Sequence, residues 1–173
     1  DYSEKKGLLS VMNNLETATA IESKKAIESH AQLVDLILPP DTNHHNTIFG
    51  GKVMAYADKI AVISAMRHCR RPVVTVRSDS FEFHAPIKSG EAICIDAKVI
   101  CAHRTTMEVY VEVHSENLIS GEKKLTSSAY MTMIALGEDG RPTPVPQVIP
   151  ETEEEKYHYK LSMDRYLARK QSK

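Results

Sequence analysis

Apolar and polar residues alternate with a period of two in four stretches of the chain's second half. These are VVTVRSDSFEF (73–83), AICIDAKVICAH (92–103), TTMEVYVEVHSEN (105–117) and KKLTSSAYMTMIAL (123–136), and each predicts a β-strand. In the third, Met107, Val109, Val111 and Val113 share one face while Glu108, Tyr110, Glu112 and His114 share the other, the pattern of a half-buried antiparallel strand. Turn residues punctuate the runs at Pro86–Gly90, His103–Arg104, Ser120–Gly121 and Glu138–Gly140. Ahead of them, AQLVDLIL (31–38) predicts a further strand closed by Pro39–Pro40, and DTNHHNTIFGG (41–51) reads as a loop. Between loop and strands the period changes to 3.6: GKVMAYADKIAVISAMRHC (51–69) lacks proline and ends in basic HCRR, as a helix C-terminus does. The proline-rich RPTPVPQVIP suits neither helix nor sheet, and EEEKYHYKLSMDRYLARK predicts an exposed helix, acidic first and basic last. Residues 1–30 mix short apolar patches with charge and are read as a frayed or helical extension.

Strand, long helix and a meander of four strands give an α+β fold, one central helix packed on a single antiparallel sheet in a domain spanning 31–150. A helix apolar nearly all round needs cover on several sides, which a curved sheet and a second subunit would supply. The length of 173 residues suffices for one core, and 22 basic against 23 acidic residues argue against a nucleic-acid surface. No apolar run reaches the about 18 residues of a membrane span, and nothing resembles a secretion signal, so a cytoplasmic location is expected. Cys69, Cys94 and Cys101 are read as reduced core thiols, and no metal-ligand spacing occurs.

One residue is out of place in that pattern. Asp58 shares its helical stripe with Met54, Ala61, Val62 and Ala65, so a carboxylate lies on the apolar face. An ionised carboxylate taken from water is expensive unless it is paired, for instance with Lys59 or Arg67, or used in chemistry. His44 and His45 point opposite ways in extended chain and read as a solvated pair. His84, in FHAP, reads as a loop or ligand-lining residue.

Four segments together, LPPDTNHHNTIFGGKVMAYAD, VVTVRSDSFEFHAPIKSGE, HRTTMEV and AYMTMIALGEDGRPTPVP, resemble the hotdog-fold acyl-CoA thioesterases, in their cytosolic acyl-CoA hydrolase branch. The resemblance implies a curved sheet around one long helix and hydrolysis of acyl-CoA to free acid and coenzyme A. It implies no required cofactor, coenzyme A being part of the substrate. It also implies homodimers assembled as a trimer of dimers, with active sites at the dimer interface. The family's asparagine matches Asn43, its helix aspartate Asp58 at the same separation, its glycine pair Gly50–Gly51, and its arginine–threonine corner Arg104–Thr105. Thr106 stands where serine is common, and Phe49 and Thr47 replace residues that some members carry.

Thioester hydrolysis needs an activated water or a nucleophile, and donors at the carbonyl oxygen where charge develops. The free N–H groups of a helix start at Gly51 suit the second need. Asp58, its pKa expected to be raised by apolar surroundings, suits the first, as general base or nucleophile. Asn43 is expected to orient water or thioester. Gly51 and Asp58 lie about 10 Å apart along a helix, so the site is expected to draw on two subunits, with Asn43 from one and Asp58 from the other. For the coenzyme, Arg71, His103, Lys88 and above all Arg104, Thr105 and Thr106 are candidates at the phosphates. Gly50, the edge residues Val74, Thr75 and Val76, Ser80 and His84 are expected to line the channel. Phe49, Met54, Tyr56 and Met66 are candidates for closing the acyl tunnel. A hotdog hydratase or dehydratase, and a silent acyl-CoA sensor, are the alternative readings.

Overall fold

Period-two alternation fixes which face of a strand is buried and leaves its neighbours open; the computed structural model, which describes residues 22–173, supplies them. Strands β1 (Lys24–Lys25), β2 (Ala31–Leu36), β3 (Val73–Phe83), β4 (Ala92–Ala102), β5 (Thr106–Glu116), β6 (Lys123–Ala135) and β7 (Val148–Ile149) accompany two α-helices, α1 (Gly50–Cys69) and α2 (Glu153–Gln171). The main sheet has five antiparallel strands in the order β2-β4-β5-β6-β3.

That order corrects the expected four-strand meander, because only β4, β5 and β6 are hairpin neighbours and β3 lies at the far edge beside β6. The linker 84–91 explains it. Ile87 is 1% exposed and its carbonyl accepts from Ile48 N–H, while Gly90 N–H donates to Ile37 O. Anchored to the loops before α1, the linker crosses the end of the sheet instead of turning back beside β3.

Helix α1 buries Val53, Ala57, Ile60, Ala61, Ser64, Ala65 and His68. Alanines at four-residue intervals let it lie close on the inner face of β4 and β5, where Ile93, Ile95, Val99, Met107, Val109, Val111 and Val113 are at most 1% exposed. Each such side chain contributes about 1.5–3 kcal/mol of burial. The helix stops at Arg70, whose left-handed φ of 55° returns its N–H to Met66 O.

Three further expectations change. Described residues ahead of Ala31 are part of the packed structure: β1 pairs in parallel with β7, and Ala26 and Ser29 are fully buried. Residues 1–21 of the expected extension lie outside the described residues. The proline-rich segment does reach a strand, since Val148–Ile149 provides β1 with its partner. Finally, α2 is no solvent-exposed helix but packs on the outer face of the sheet. Ser162 donates to Glu108 Oε2 at 2.6 Å, Arg165 pairs with Oε1 of the same carboxylate, and His158 stacks on Tyr110 at 3.8 Å. Glu108, read as a solvent-side residue, is 2% exposed. The sheet is therefore covered by a helix on each side, the inner one central to the molecule.

Candidate active site

The residues nominated from sequence fall into two groups at opposite ends of β3. At its start, Thr75 donates its hydroxyl to Asp58 Oδ1 at 2.6 Å, tying the edge strand to the middle of α1. Asp58 is half-buried, at the margin of the buried stripe and not within it; Met54, on the same side of the helix, is 45% exposed. Neither Lys59 nor Arg67 pairs with it among the described residues, and Arg67 donates instead to His30 O at 2.5 Å. Oδ2 of Asp58 is thus left without a protein partner among the described residues and open to a water or a substrate.

The same end carries the β4–β5 corner. Val74, Ile134 and Thr106 lie in one row across β3, β6 and β5, and Arg104 is exposed on the corner between His103 and the half-buried Thr105. His103 N–H closes this turn on Thr106 O at 2.8 Å. Arg71, exposed ahead of β3, adds a second cation there. The His103 ring differs from them: its Nε2 is buried without a partner, and burial lowers its pKa, opposed by the Glu108 carboxylate and aided by Arg169 and Lys170. Its ring is stacked on Tyr166 of α2, with centroids 3.7 Å apart.

The other group sits at the end of β3. Gly50 and Gly51 begin α1 with no side-chain cap from Phe49, so the first N–H groups of the helix point out unclaimed. A side chain at Gly50 would meet the Phe83 ring at 3.6 Å, whereas one at Gly51 would meet nothing within 4 Å. Gly51 is the open approach. Beside it, a cavity of about 330 Å³ is lined by Ile48, Gly50, Val53, Phe83, His84 and Ile87 among others. His84 Nε2 lies 3.5 Å from Glu82 and shares the rim. Asn43 belongs to the loop that Asp41 pins to this helix start, through Phe49 N–H to Asp41 O and Lys52 to the Asp41 carboxylate at 3.3 Å. Its Oδ1 accepts from His45 N–H, Thr47 N–H and the Thr47 hydroxyl, which leaves its Nδ2 hydrogens as the donors it can offer.

The strand joining the two groups is open along one side. Val74, Val76 and Phe83 are 44%, 52% and 51% exposed, and Ser80 sits in an irregular step between Asp79 and Glu82 with φ 51°. On α1, Met54, Ile63 and Met66 are exposed apolar side chains on different sides of the helix, and Phe49 is exposed just before its start. Of the tunnel candidates only Tyr56 is withdrawn: its hydroxyl bonds Asp35, and burial, reinforced by that carboxylate, raises its pKa to about 12. Sequence reasoning missed Phe83 as a wall of the cavity and Thr75 as the partner of Asp58. Nothing in the sequence signals that Phe83, at the end of its run, comes against Gly50.

A sequence model described as the Thioesterase superfamily matches residues 45–121. An uncharacterized acyl-CoA thioester hydrolase of Bacillus subtilis, YkhA, is 43% identical over 152 residues, 88% of either chain. The cytosolic acyl coenzyme A thioester hydrolase of Rattus norvegicus is 35% identical over 144 residues, which are 82% of this chain and 38% of that protein. Among solved structures, an apo-hexameric acyl-CoA thioesterase superposes with a TM-score of 0.84 at 47% identity, covering 88% of this chain and 97% of that one. An acyl-CoA hydrolase from Staphylococcus aureus in complex with butyryl coenzyme A and coenzyme A superposes with a TM-score of 0.81 at 38% identity, over 87% and 92% of the two chains. That enzyme has also been solved with an asparagine, an aspartate or a threonine changed to alanine, at successive intervals of fifteen and seventeen residues.

Proposed function

The chain belongs to the thioesterase superfamily and is an acyl-CoA thioester hydrolase, and from that premise we propose that it opens its substrate between two copies of itself, one contributing Asp58 and the other Asn43 and Gly51. The observation that carries this reading is the layout of β3. Asp58 is bonded to the strand's beginning, at Thr75, while Gly50 lies against its end, at Phe83. When two such exposed edges pair antiparallel about a twofold axis, the beginning of one strand comes beside the end of the other. The separation of about 10 Å along a single α1 is then bridged by the partner.

In this arrangement the thioester carbonyl oxygen sits over the free N–H groups at Gly51, where the positive end of the helix dipole meets the charge that develops as the carbonyl becomes tetrahedral. Asp58 takes the proton from water as the water attacks, with Thr75 holding the carboxylate in place. Asn43 donates through Nδ2 to the water or the thioester. Collapse of the intermediate releases coenzyme A thiolate and the free acid. The cavity beside Gly50 takes the acyl end, lined by Ile48, Val53 and Phe83. The Arg104–Thr105–Thr106 corner and Arg71 take the coenzyme's phosphates, with Val74, Val76 and Ser80 along the channel. The intervals between Asn43, Asp58 and Thr75, fifteen and seventeen residues, equal those of the three positions changed in the Staphylococcus aureus enzyme, which supports these assignments. The hexamer of the apo-thioesterase likewise supports three such dimers as the assembly.

Mixing chains tests the composite site. Asn43→Ala and Asp58→Ala variants are expected to be nearly inactive alone in a thiol-release assay. Refolded together, they should regain about a quarter of wild-type activity, since half the dimers are mixed and each mixed dimer holds one intact site. A mixture with no recovery overturns the two-chain site.

A further inference from the structure

We propose that Tyr166, near the end of α2, is a positioning residue for the coenzyme's phosphates, acting through His103 to hold the corner that presents Arg104, Thr105 and Thr106. The inference rests on the thioesterase reading above and extends it to a helix to which that reading gives no part.

The corner's backbone is pinned by three bonds, from His103 N–H to Thr106 O, from Ala135 N–H to Thr105 O and from Val145 N–H to Arg104 O. The His103 ring has no such anchor. Its Nε2 makes no hydrogen bond, so the ring is held by packing, and the packing partner is Tyr166, with centroids 3.7 Å apart and planes 10° from parallel. Tyr166 is itself fixed. One residue earlier Arg165 pairs with Glu108, three residues later Arg169 reaches Asp79 of β3 at 3.4 Å, and Lys170 Nζ lies 4.8 Å over the Tyr166 ring. Glu108 is two residues beyond Thr106 on β5, so α2 grips the strand immediately after the corner and stacks on the residue immediately before it.

This geometry gives His103 and Arg104 different tasks although they are adjacent. Arg104 is the next residue and is exposed, so a ring fixed on α2 limits how the corner can shift and with it where the guanidinium is carried. A guanidinium held in one orientation meets a phosphate with less loss of freedom than a mobile one. Without the stack, the ring turns out to solvent and the corner loses its backing, while Asp58 and Gly51, which do not touch α2, keep their chemistry.

Two substrates sharing one thioester provide the test: an acyl-CoA, and the same acyl group on pantetheine, which lacks the phosphates and the nucleotide. Tyr166→Ala should raise KM for the acyl-CoA about tenfold with kcat within about twofold of wild type, and leave kcat/KM for the acyl-pantetheine within about twofold. Tyr166→Phe, which keeps the stack, should restore the wild-type KM. Tyr166→Leu, which keeps bulk without an aromatic face, should behave like the alanine variant and serves in its place if that variant does not fold. An unchanged KM for acyl-CoA in a folded Ala or Leu variant overturns the proposal, as does an equal loss on both substrates. A wild-type protein that released thiol from neither substrate would instead overturn the thioesterase reading.

Discussion

At the residue scale, Asp58 owes its prominence to where it is left unsatisfied. Thr75 fills one oxygen, and no cation neutralises the group among the described residues. A carboxylate with one fixed bond and one open oxygen is oriented without being consumed, as a general base must be. Asp58→Asn keeps the shape and removes the base, so kcat should fall about a hundredfold or more with KM little changed. Thr75→Val removes only the orienting hydroxyl and should cost kcat about tenfold. An Asp58→Asn enzyme with full activity in the thiol-release assay would remove Asp58 from the chemistry. The aspartate was legible in the sequence because a charge interrupts an apolar helix. Its threonine partner was seen only as a channel residue, since contact across seventeen residues and two elements depends on which strand lies beside the helix, and period alone is silent on that.

Elements show the same division between face and neighbour. Alternation in β5 correctly put Val109 and Glu108 on opposite faces, yet both residues are buried, one under α1 and the other under α2. Nothing in a strand's own residues states that its polar side will meet a helix. The meeting is polar on both sides: Glu108 takes Ser162 and Arg165, Arg165 lies 3.9 Å over the Tyr130 ring, and the Tyr130 hydroxyl bonds His158 at 2.7 Å. Such an interface is specific more than strong, because desolvation offsets much of the Coulomb attraction. Removing one partner is another matter, as it strands the rest. Glu108→Ala should destabilise the fold by about 3 kcal/mol, measured as a lower urea midpoint, while the double variant Glu108→Leu with Arg165→Met should recover most of that loss. Equal stability of Glu108→Ala and wild type would show that the network contributes nothing to docking α2.

For the whole molecule, three histidines set the response to acid. His68 is fully buried with Nε2–H donating to Pro146 O at 2.7 Å, His158 of α2 is 7% exposed against Tyr110 and Tyr130, and His103 lies beneath Tyr166. Burial is the leading cause that lowers each pKa from the ordinary 6.5. Folded chains therefore bind fewer protons than unfolded ones once pH drops below about 6.5, so stability is complete above that pH and declines as pH falls through the lowered values. The thermal midpoint should be level from pH 8 to 7 and fall steadily from 6.5 to 5. A His68→Gln variant should show a shallower decline, and a melt independent of pH over that range would contradict the assignment. That the fold is α+β with a central helix was legible from the sequence, since the change of period between 51–69 and the strands is strong. The far-edge position of β3 was not, because it is decided by where Ile87 is buried.

Placing β3 at the edge has a mechanical consequence in the proposed dimer. The strand becomes a ruler shared by two sites, for its register against its twin sets the distance from Asp58 of one chain to Gly51 of the other, twice over by symmetry. A slip of two residues would keep every side chain on its proper face and still move both pairs out of reach by about 7 Å. Hydrophobic patterning cannot forbid such a slip. The irregular step at Ser80, with its left-handed φ of 51°, can, because a bulge fits its neighbour at one setting only. A kink in an exposed strand, one element beyond the helix that carries the proposed base, thereby becomes the calibration mark for the two proposed sites at once.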